Sequence, residues 1–413
     1  MRFYRRYWSF FRHSAASKSP PSQKRNMGIS TTAFLYSVIV SVPPVSAGPE
    51  DVDDRNHHVS GGSWNGGPDF KKLMRYFGQY IRGKVNYPDT KPPTVPVRKP
   101  EFLAARETSS LRATWLGHAC YYVEFPSGLR VLFDPVFEDR CSPFSWIGPK
   151  RYTEMPCDIK DIPIIDAVVI SHNHYDHLSY PTIKEISKRH PNCHFFAPLG
   201  NKQWFTSSGI HNVTELDWWE ERDISLSPLE MSEVAPAGDL VSNSADIKAR
   251  ISCLPCQHTT NRGLFDRCKT LWSSWSVESG GRKVYFAGDT GYRSVPELPD
   301  GVDDYAPEHN FPSCPAFKEV GKFRGPFDLG LIPIGAYKPR WFMSPMHASP
   351  HDAVHIFQDT KCQRALGMHW GTWVLTEEDV LEPPKLLRGA LKKNDIPEDG
   401  VFDVCDIGES REF

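Results

Sequence analysis

The sequence predicts an α/β fold with layered sheets. Short apolar segments rich in β-branched residues alternate with helical segments along residues 111–413, which is typical of α/β domains. Several of these segments end directly in histidine or aspartate, and α/β proteins place their sites at the carboxyl ends of such strands. With 39% hydrophobic and 24% charged residues, the 413-residue chain has the composition of a globular protein with a sizeable core.

Residues 1–49 have the composition of a targeting segment. They carry seven Lys or Arg and no acidic side chain. On a helical wheel, the arginines at positions 2, 5, 6 and 12 lie opposite aromatic residues, which is typical of a mitochondrial presequence. The apolar centre Ala33–Val42 is short for a membrane span, which needs about 20 residues. We predict a presequence and a marginal anchor at the mitochondrial inner membrane. Because Val45-Ser46-Ala47 would suit a signal peptidase, the secretory pathway is the alternative, with residues 29–47 either spanning or cleaved.

Residues 50–110 are predicted to form an irregular linker with one helix. Glycines between positions 61 and 67 and prolines between 88 and 100 favour flexible and extended chain, respectively. Between them, apolar residues recur at helical spacing from Phe70 to Ile81 and predict an amphipathic helix. We expect this helix to pack on the domain that follows, with contact to lipid as the alternative.

The compact domain is predicted to run from Leu111 to the end of the chain. Three short strands, Arg112–Trp115, Tyr121–Phe125 and Arg130–Asp134, are separated by turn residues. The β-branched run Ile164–Ile170 predicts a buried strand of a parallel sheet. A helix is expected after it, over residues 182–188.

Three histidines and one aspartate follow Ile164–Ile170 within six positions. Because residues two apart in extended chain point the same way, His172 and His174 can converge on one metal ion. A following turn can present Asp176 and His177 to a second ion. A lone histidine would more often be a buried polar group, but this density indicates a metal site.

Three later strand ends supply the remaining ligands. His258 follows the strand 249–254, Asp289 follows the strand 282–286, and His369 follows the apolar run 365–368. The predicted ligands of one ion are His172, His174 and His258, and those of the other are Asp176, His177 and His369, with Asp289 bridging the pair. Imidazole and carboxylate groups suit zinc, although manganese or iron accept similar ligands.

Two ions that share a water lower its pKa, so a bridging hydroxide is available near neutral pH. They also neutralise charge on the oxygens of an in-line displacement. This suits phosphodiester hydrolysis, in which the barrier lies largely in charge and positioning.

Longer motifs resemble known families. The run His172–His177, Gly288-Asp289 and His258 are similar to the motifs of the metallo-β-lactamase superfamily. More narrowly, the chain resembles the N-acyl-phosphatidylethanolamine-hydrolysing phospholipase D family from about Leu111 to Glu409. The motifs that carry this resemblance are Glu215–Glu220, Leu271–Ser276, Pro333–Tyr337 and His369–Thr372.

The resemblance implies the αβ/βα four-layer sandwich of the metallo-β-lactamase fold, with a dinuclear zinc centre. It implies hydrolysis of N-acyl-phosphatidylethanolamine to N-acylethanolamine and phosphatidic acid. It further implies that Asp134 orients a metal-bound histidine, and that His347 lies near the ions without binding them. We assign His347 and Asp289 to catalysis.

Two features depart from the animal members of this family. The basic N-terminal segment resembles fungal mitochondrial members instead. The segment Arg293–Ser313 is an insertion, and we expect it to cover the site entrance and to change the lipid that is accepted.

The expected partners are a phospholipid substrate and a membrane surface, and a homodimer is possible. A net charge of −2 gives no electrostatic case for nucleic acid. Ten scattered cysteines suggest no disulfide framework. Shortly before His347, Lys338 and Arg340 could meet a lipid phosphate, and Trp341 and Phe342 an acyl chain or simply the core.

Two other functions are considered. One is a soluble metallohydrolase that acts on a small lactone, thioester or cyclic phosphodiester. The other is a metal-binding scaffold without turnover, against which the full ligand set together with His347 argues.

Overall fold

The computed structural model describes residues 36–43, 70–228, 246–263, 265–299 and 301–413. All of them lie in one compact unit, Leu35–Phe413. The predicted presequence lies outside the described residues. The described strands are β1 Tyr36–Ser41, β2 Arg112–Trp115, β3 Tyr121–Glu124, β4 Arg130–Phe133, β5 Ala167–Val169, β6 His194–Pro198, β7 Val213–Leu216, β8 Glu221–Pro228, β9 Ile247–Leu254, β10 Ser274–Ser279, β11 Arg282–Phe286, β12 Phe327–Pro333, β13 Cys362–Met368, β14 Phe402–Asp403 and β15 Ser410–Glu412. The described α-helices are α1 Phe70–Ile81, α2 Tyr180–Arg189, α3 Lys202–Ser207, α4 Ala316–Phe323, α5 Arg340–Met343, α6 Pro350–Asp359 and α7 Glu382–Lys393.

These strands form two mixed sheets. The larger sheet has the order β1-β8-β9-β10-β11-β12-β13-β14, and the smaller has the order β15-β2-β3-β4-β5-β6-β7. Pairing is parallel from β4 to β7 and from β11 to β14, and antiparallel elsewhere. In both parallel regions the carboxyl ends of the strands therefore lie at a common edge of their sheet.

Successive residues of the smaller sheet face two different cores. On β4, Val131 and Phe133 pack in the core shared with the larger sheet, whereas Leu132 packs with Ile183 of α2 and Phe205 of α3. This follows from the two-residue period of a strand. Helices α4, α6 and α7 add apolar residues to the core of the larger sheet. The αβ/βα four-layer sandwich expected from the resemblance is confirmed.

Most predicted elements of the domain agree with the structure. The strand predicted at 282–286 is β11, and the helix predicted at 182–188 lies within α2. The strand before the histidines is shorter than predicted, since only Ala167–Val169 pairs on both sides. All ten cysteines lie in the described part of the chain, and none forms a disulfide there.

Part of the predicted membrane anchor is an edge strand. Residues 36–41 pair antiparallel with β8, with Tyr36 opposite Pro228 and Ser41 opposite Asp223. Tyr36, Val38 and Val40 pack against the core. Apolar side chains at every second position suit a half-buried strand, which accounts for the difference from the prediction. Among the described residues, no helix is long and apolar enough to cross a membrane.

The linker region contains the predicted helix and packs on the domain. The ring of Tyr76 on α1 stacks on Phe342 with centroids 4.8 Å apart. Further along, Val95 is buried in the core, and Val97 forms a parallel bridge with Ile407. Residues before Leu111 thus contribute to the compact unit, and the expected contact between helix and domain is present.

Candidate metal centre

Strands from both sheets end at one site. In the smaller sheet, β5 leads into the cluster 172–177. In the larger sheet, β9, β11 and β13 lead to His258, Asp289 and His369. All seven predicted ligands are brought together at this edge, and groups of them place their nitrogen or oxygen atoms within 4.8 Å of one another.

Gly288 permits this convergence at the end of β11. Its φ of +59° lies in the left-handed region, which favours glycine. A Cβ atom at this position would lie 2.7 Å from the Cβ of Ser171 and 2.9 Å from the carbonyl oxygen of Ser273. A larger residue would therefore push Asp289 away from the histidine cluster.

The first predicted ligand set forms a compact group. Nδ1 of His174 lies 2.8 Å from Nε2 of His172 and 3.3 Å from Nε2 of His258. Oδ2 of Asp289 lies 3.8 Å from Nε2 of His172 and 3.6 Å from Nε2 of His258. These four atoms all lie within 4.8 Å of one another.

The second predicted ligand set lies beside the first. Nε2 of His177 is 3.3 Å from Oδ2 of Asp176 and 3.2 Å from Oδ2 of Asp289. Nε2 of His369 is 3.5 Å from Oδ2 of Asp176 and 3.0 Å from Oδ1 of Asp289. Asp289 thus contacts both sets, which is the geometry that a bridging ligand requires.

Hydrogen bonds on the outer side fix which imidazole nitrogen faces the site. Nδ1 of His258 donates to the carbonyl oxygen of Met346 at 2.9 Å, and Nε2 of His174 donates to Oδ1 of Asn261 at 3.0 Å. The opposite nitrogen of each neutral ring therefore carries a lone pair toward the other ligands. Such partners orient metal-binding histidines in many proteins.

Asp134 orients two further histidines. Its carboxylate accepts hydrogen bonds from Nδ1 of His177 at 2.6 Å, from the Ser171 amide at 2.7 Å and from the Ser171 hydroxyl at 2.5 Å. Because that hydroxyl donates to Asp134, its oxygen accepts the hydrogen bond from Nδ1 of His172 at 2.9 Å. The Nε2 atom of the neutral His172 ring is left without a proton, as metal binding requires. In His177 burial opposes protonation, but Asp289, Asp176 and Asp134 raise its pKa well above the usual value, so a cation has to displace the proton on Nε2.

The electrostatics of the two sets differ. Burial lowers the pKa of His172 and of His258 well below the usual value, so both rings are neutral. For His369, burial acts against protonation, but Asp289 and Asp176 raise its pKa to about 9. A cation that binds the nitrogen of such a ring displaces its proton, so metal binding and proton release are coupled.

Unpaired polar atoms show that these residues fit a metal cofactor. Nε2 of His177, Nε2 of His369 and Oδ1 of Asp289 are buried and make no hydrogen bond. Buried polar atoms normally have a partner. Imidazole nitrogens and carboxylate oxygens that converge without one are suited to divalent cations.

His118 is a member of the site that the sequence analysis missed. Its Nε2 atom donates to Oδ2 of Asp176 at 2.9 Å, and its carbonyl oxygen accepts from the His369 amide at 2.9 Å. Burial and the neighbouring His369 lower the pKa of His118 to about 3, so the ring is neutral. His118 could have been predicted from its position shortly after the strand Arg112–Trp115, since the other site residues also follow strands.

Arg262 was also missed, because it is distant in sequence from the cluster that it holds. Its guanidinium group donates to the carbonyl oxygens of Asn173 and Leu178 at 2.7 and 2.8 Å. It also lies over the ring of Tyr175, 4.0 Å from the ring centroid. These contacts hold both ends of the loop that carries Asp176 and His177.

His347 lies at the same centre. Its ring centroid is 5.2 Å from that of His369 and 5.1 Å from that of His258. Nδ1 of His347 is buried and makes no hydrogen bond. Burial lowers the pKa of His347 to about 4. A buried nitrogen without a partner is available to a bound substrate or to a cation, and the non-ligand role stays a prediction.

The two cations expected to meet a lipid phosphate have protein partners instead. Nζ of Lys338 donates to Glu382 at 2.8 Å. Arg340 donates to Asp304 and Asp352 at 3.0 and 2.8 Å. Because acidic residues distant in sequence neutralise both charges, the structure does not support their assignment to substrate phosphate.

Comparisons with known proteins agree with this site. A family profile described as "Beta-lactamase superfamily domain" matches residues 129–370. The chain is 38% identical over 307 residues to "N-acyl-phosphatidylethanolamine-hydrolyzing phospholipase D 1" of Caenorhabditis elegans, covering 73% of this chain and 75% of that protein. It is 34% identical over 275 residues to "N-acyl-phosphatidylethanolamine-hydrolyzing phospholipase D, mitochondrial" of Saccharomyces cerevisiae, covering 66% of this chain and 50% of that protein. The match thus spans half the length of the yeast relative.

Among solved structures, a metallo hydrolase from Ignicoccus hospitalis is similar with a TM-score of 0.45 and 19% identity, over 74% of this chain and 99% of that one. The family match and the curated relatives supply the assignment. The chain belongs to the N-acyl-phosphatidylethanolamine-hydrolysing phospholipase D family of the metallo-β-lactamase superfamily, and it is a phospholipase D-type metallohydrolase.

Proposed function

We propose that this protein hydrolyses N-acyl-phosphatidylethanolamine to N-acylethanolamine and phosphatidic acid. The observation that carries the proposal is the pair of ligand sets joined by Asp289, in a chain 38% identical to a relative named for that reaction. Water adds to phosphorus, the bond from phosphorus to the ethanolamine oxygen breaks, and a proton passes to the departing oxygen.

The proposed cofactor is two zinc ions. His172, His174 and His258 would hold one ion, Asp176, His177 and His369 the other, and Asp289 both. Two bound cations supply Lewis acidity and a water of lowered pKa. The neutral rings of His172 and His258 favour binding, since no proton has to leave them first.

His347 is proposed to contact the substrate. Its Nδ1 atom is buried at the centre without a hydrogen-bond partner, so a phosphate oxygen or the leaving oxygen can take that place. The loop that carries His347 is held against the metal ligands, because Nδ1 of His258 donates to the carbonyl oxygen of Met346. Asp134 orients His177, and His118 orients Asp176. Neither orienting residue needs to contact the substrate.

A membrane surface is the proposed source of the substrate. Helix α1 packs on the domain through Tyr76. Five other apolar residues of this helix are 49% to 68% exposed to solvent. Residues 70–84 also carry five Lys or Arg and no acidic residue. An exposed apolar stripe flanked by cations suits the interface of a membrane with anionic lipids. The exposed residues are Leu73, Met74, Phe77, Tyr80 and Ile81.

The proposed location is the mitochondrion, at the inner membrane. Support comes from the basic, acid-free first 49 residues and from the word "mitochondrial" in the name of the yeast relative.

The test is mass spectrometry of lipids after the purified full-length protein has been incubated with a phospholipid panel. We expect N-acylethanolamine and phosphatidic acid only from N-acylated phosphatidylethanolamine, loss of both products with a chelator, and recovery with zinc. Asp289→Asn is the matched control for contaminating hydrolases. Turnover of small lactones, thioesters or cyclic phosphodiesters without any lipid cleavage would refute the proposal.

A further inference from the structure

The insertion Arg293–Ser313 is closed at its base, beside the segment that carries His347. Its two ends pair, with an antiparallel bridge between Arg293 and Ser313 and a hydrogen bond from the Cys314 amide to the Tyr292 carbonyl at 2.8 Å. The insertion is therefore anchored at its base on the strand-end segment that follows Asp289.

Asp304 of the insertion lies in a largely buried network of charges. Arg340 donates to its Oδ2 atom from Nε at 3.1 Å and from Nη2 at 3.0 Å, and Arg293 donates to the same atom at 3.2 Å. Nη2 of Arg340 also donates to Asp352 of α6 at 2.8 Å. The side chains of Asp304 and Arg340 are only 17% and 18% exposed. The positive charges of Arg293 and Arg340 are thus neutralised by Asp304 and Asp352 in a largely buried environment.

Arg340 is rigidly connected to His347. The Ser344 amide donates to the Arg340 carbonyl at 2.9 Å, and the His347 amide donates to the Met343 carbonyl at 2.8 Å. The insertion adds a second contact, because the Val295 amide donates to the Ser344 hydroxyl at 2.9 Å. The path from Asp304 to His347 therefore consists of one ion pair and two successive turns of the chain.

The far side of this segment meets the metal centre. The carbonyl oxygen of Met346 accepts from His258, that of Pro345 accepts from Gln257 at 2.8 Å, and the Ala348 amide donates to Thr290 at 2.7 Å. The segment 340–348 is thus held between the metal ligands and the insertion.

We propose that Asp304 is a positioning residue that, through Arg340, holds His347 in its place at the metal centre. The expected effect on turnover rests on the proposed function, whereas the effect on the position of His347 does not. Loss of the Asp304 charge leaves Arg293 and Arg340 to share Asp352 alone. Because a buried charge that is not fully compensated is destabilising, the hold on Arg340 and on the turns that follow it weakens. His347 then samples positions away from the substrate.

The test compares Asp304→Asn with Asp303→Asn in the full-length, metal-loaded protein. Asp303 is the matched control, because it carries the same charge one residue away and pairs with exposed Lys393 instead of Arg340. For Asp304→Asn we expect kcat to fall about 10–100-fold, since a displacement of about 1 Å can have that effect. We expect unchanged KM and metal content, and turnover near the wild-type value for Asp303→Asn and for Asp304→Glu.

A double variant separates positioning from a general loss of structure. If Asp304 acts through His347, adding Asp304→Asn to His347→Ala lowers kcat no further. If Asp304 has only a general structural role, Asp304→Asn lowers kcat by the same factor in the wild type and in His347→Ala. Hydrogen exchange supplies a readout without substrate. The amide protons of Ser344, Met346, His347 and Ala348 should exchange faster in Asp304→Asn than in Asp303→Asn.

The outcomes distinguish this proposal from the proposed function. If the wild type does not cleave N-acyl-phosphatidylethanolamine, the proposed function fails, and hydrogen exchange alone decides the role of Asp304. Exchange in Asp304→Asn equal to that of the control, or additive losses of kcat in the double variant, would overturn the positioning role.

Discussion

Replacing Asp134 by asparagine tests how the metal ligands are oriented. The carboxylate accepts three hydrogen bonds, two from Ser171 and one from His177. An amide has a single acceptor oxygen, and its NH2 group would face the Nδ1–H group of His177. The imidazole can resolve that clash by moving its proton to Nε2, the atom that faces Asp176 and Asp289. His177 would then be unable to bind a cation.

The magnitude follows from this change of tautomer. Loss of an orienting partner costs about 10–100-fold in metal affinity, which corresponds to about 1.4–2.8 kcal/mol of binding free energy. We expect the loss at the site of His177, Asp176 and His369. The site of His172, His174 and His258 should lose less metal affinity. The reason is that His174 and His258 are oriented by Asn261 and Met346 and not by Asp134.

The assay is competition of the protein with a chromophoric zinc chelator, together with thermal unfolding in the absence of metal. Asp166→Asn is the matched control. Asp166 is another buried carboxylate, held by Arg106 at 2.7 Å, but it precedes β5 whereas the ligands follow β5. The control should lower the midpoint of thermal unfolding and leave zinc affinity unchanged. Wild-type affinity at both sites in Asp134→Asn would refute the reasoning.

Four further predictions test other parts of the molecule. Asp289→Asn keeps the size but removes the bridging charge, so metal analysis should show loss of at least one ion; two ions with normal turnover would contradict the bridging role. His369→Ala should lose metal and regain some activity with excess zinc, whereas His347→Ala should keep both ions and lose turnover by about 10²–10⁴-fold; metal loss from His347→Ala instead would exchange the two roles. Charge reversal of the arginines at positions 2, 5, 6 and 12 should abolish mitochondrial import in an imaging assay, and a wild-type chain in the secretory pathway would contradict this location. Serine at both Leu73 and Phe77 should weaken sedimentation with anionic vesicles by about tenfold or more, and unchanged binding would exclude α1 as the contact.

Much of the fold was accessible from the sequence where the pattern is local. The strand at Arg282–Phe286 is bounded by turn residues, and its predicted ends agree with the structure. The linker helix could be found because its apolar spacing is set within twelve residues. The strand at Tyr36–Ser41 was missed because its partner, β8, lies more than 180 residues away in the chain. A short uncharged apolar segment fits a strand or a membrane anchor equally well until that partner is known.

The predicted ligands share one rule, a polar residue after an apolar strand, and the sheet topology brings them together. His118 obeys the same rule but stands alone, without a neighbouring histidine to mark it. The partners of Arg340 could not be foreseen, since Asp304 and Asp352 approach it from two separate elements. The sequence therefore suggested a substrate contact for Arg340, whereas the structure pairs it with these two carboxylates.

The most direct test of the proposed chemistry is hydrolysis of N-acyl-phosphatidylethanolamine by the zinc-loaded protein in water enriched in ¹⁸O. Attack on phosphorus places one labelled oxygen in each phosphatidic acid and none in the N-acylethanolamine, and mass spectrometry resolves the two products. We predict that result for the wild type and no labelled product for Asp289→Asn. Label in the N-acylethanolamine, or phosphatidic acid without label, would contradict the account.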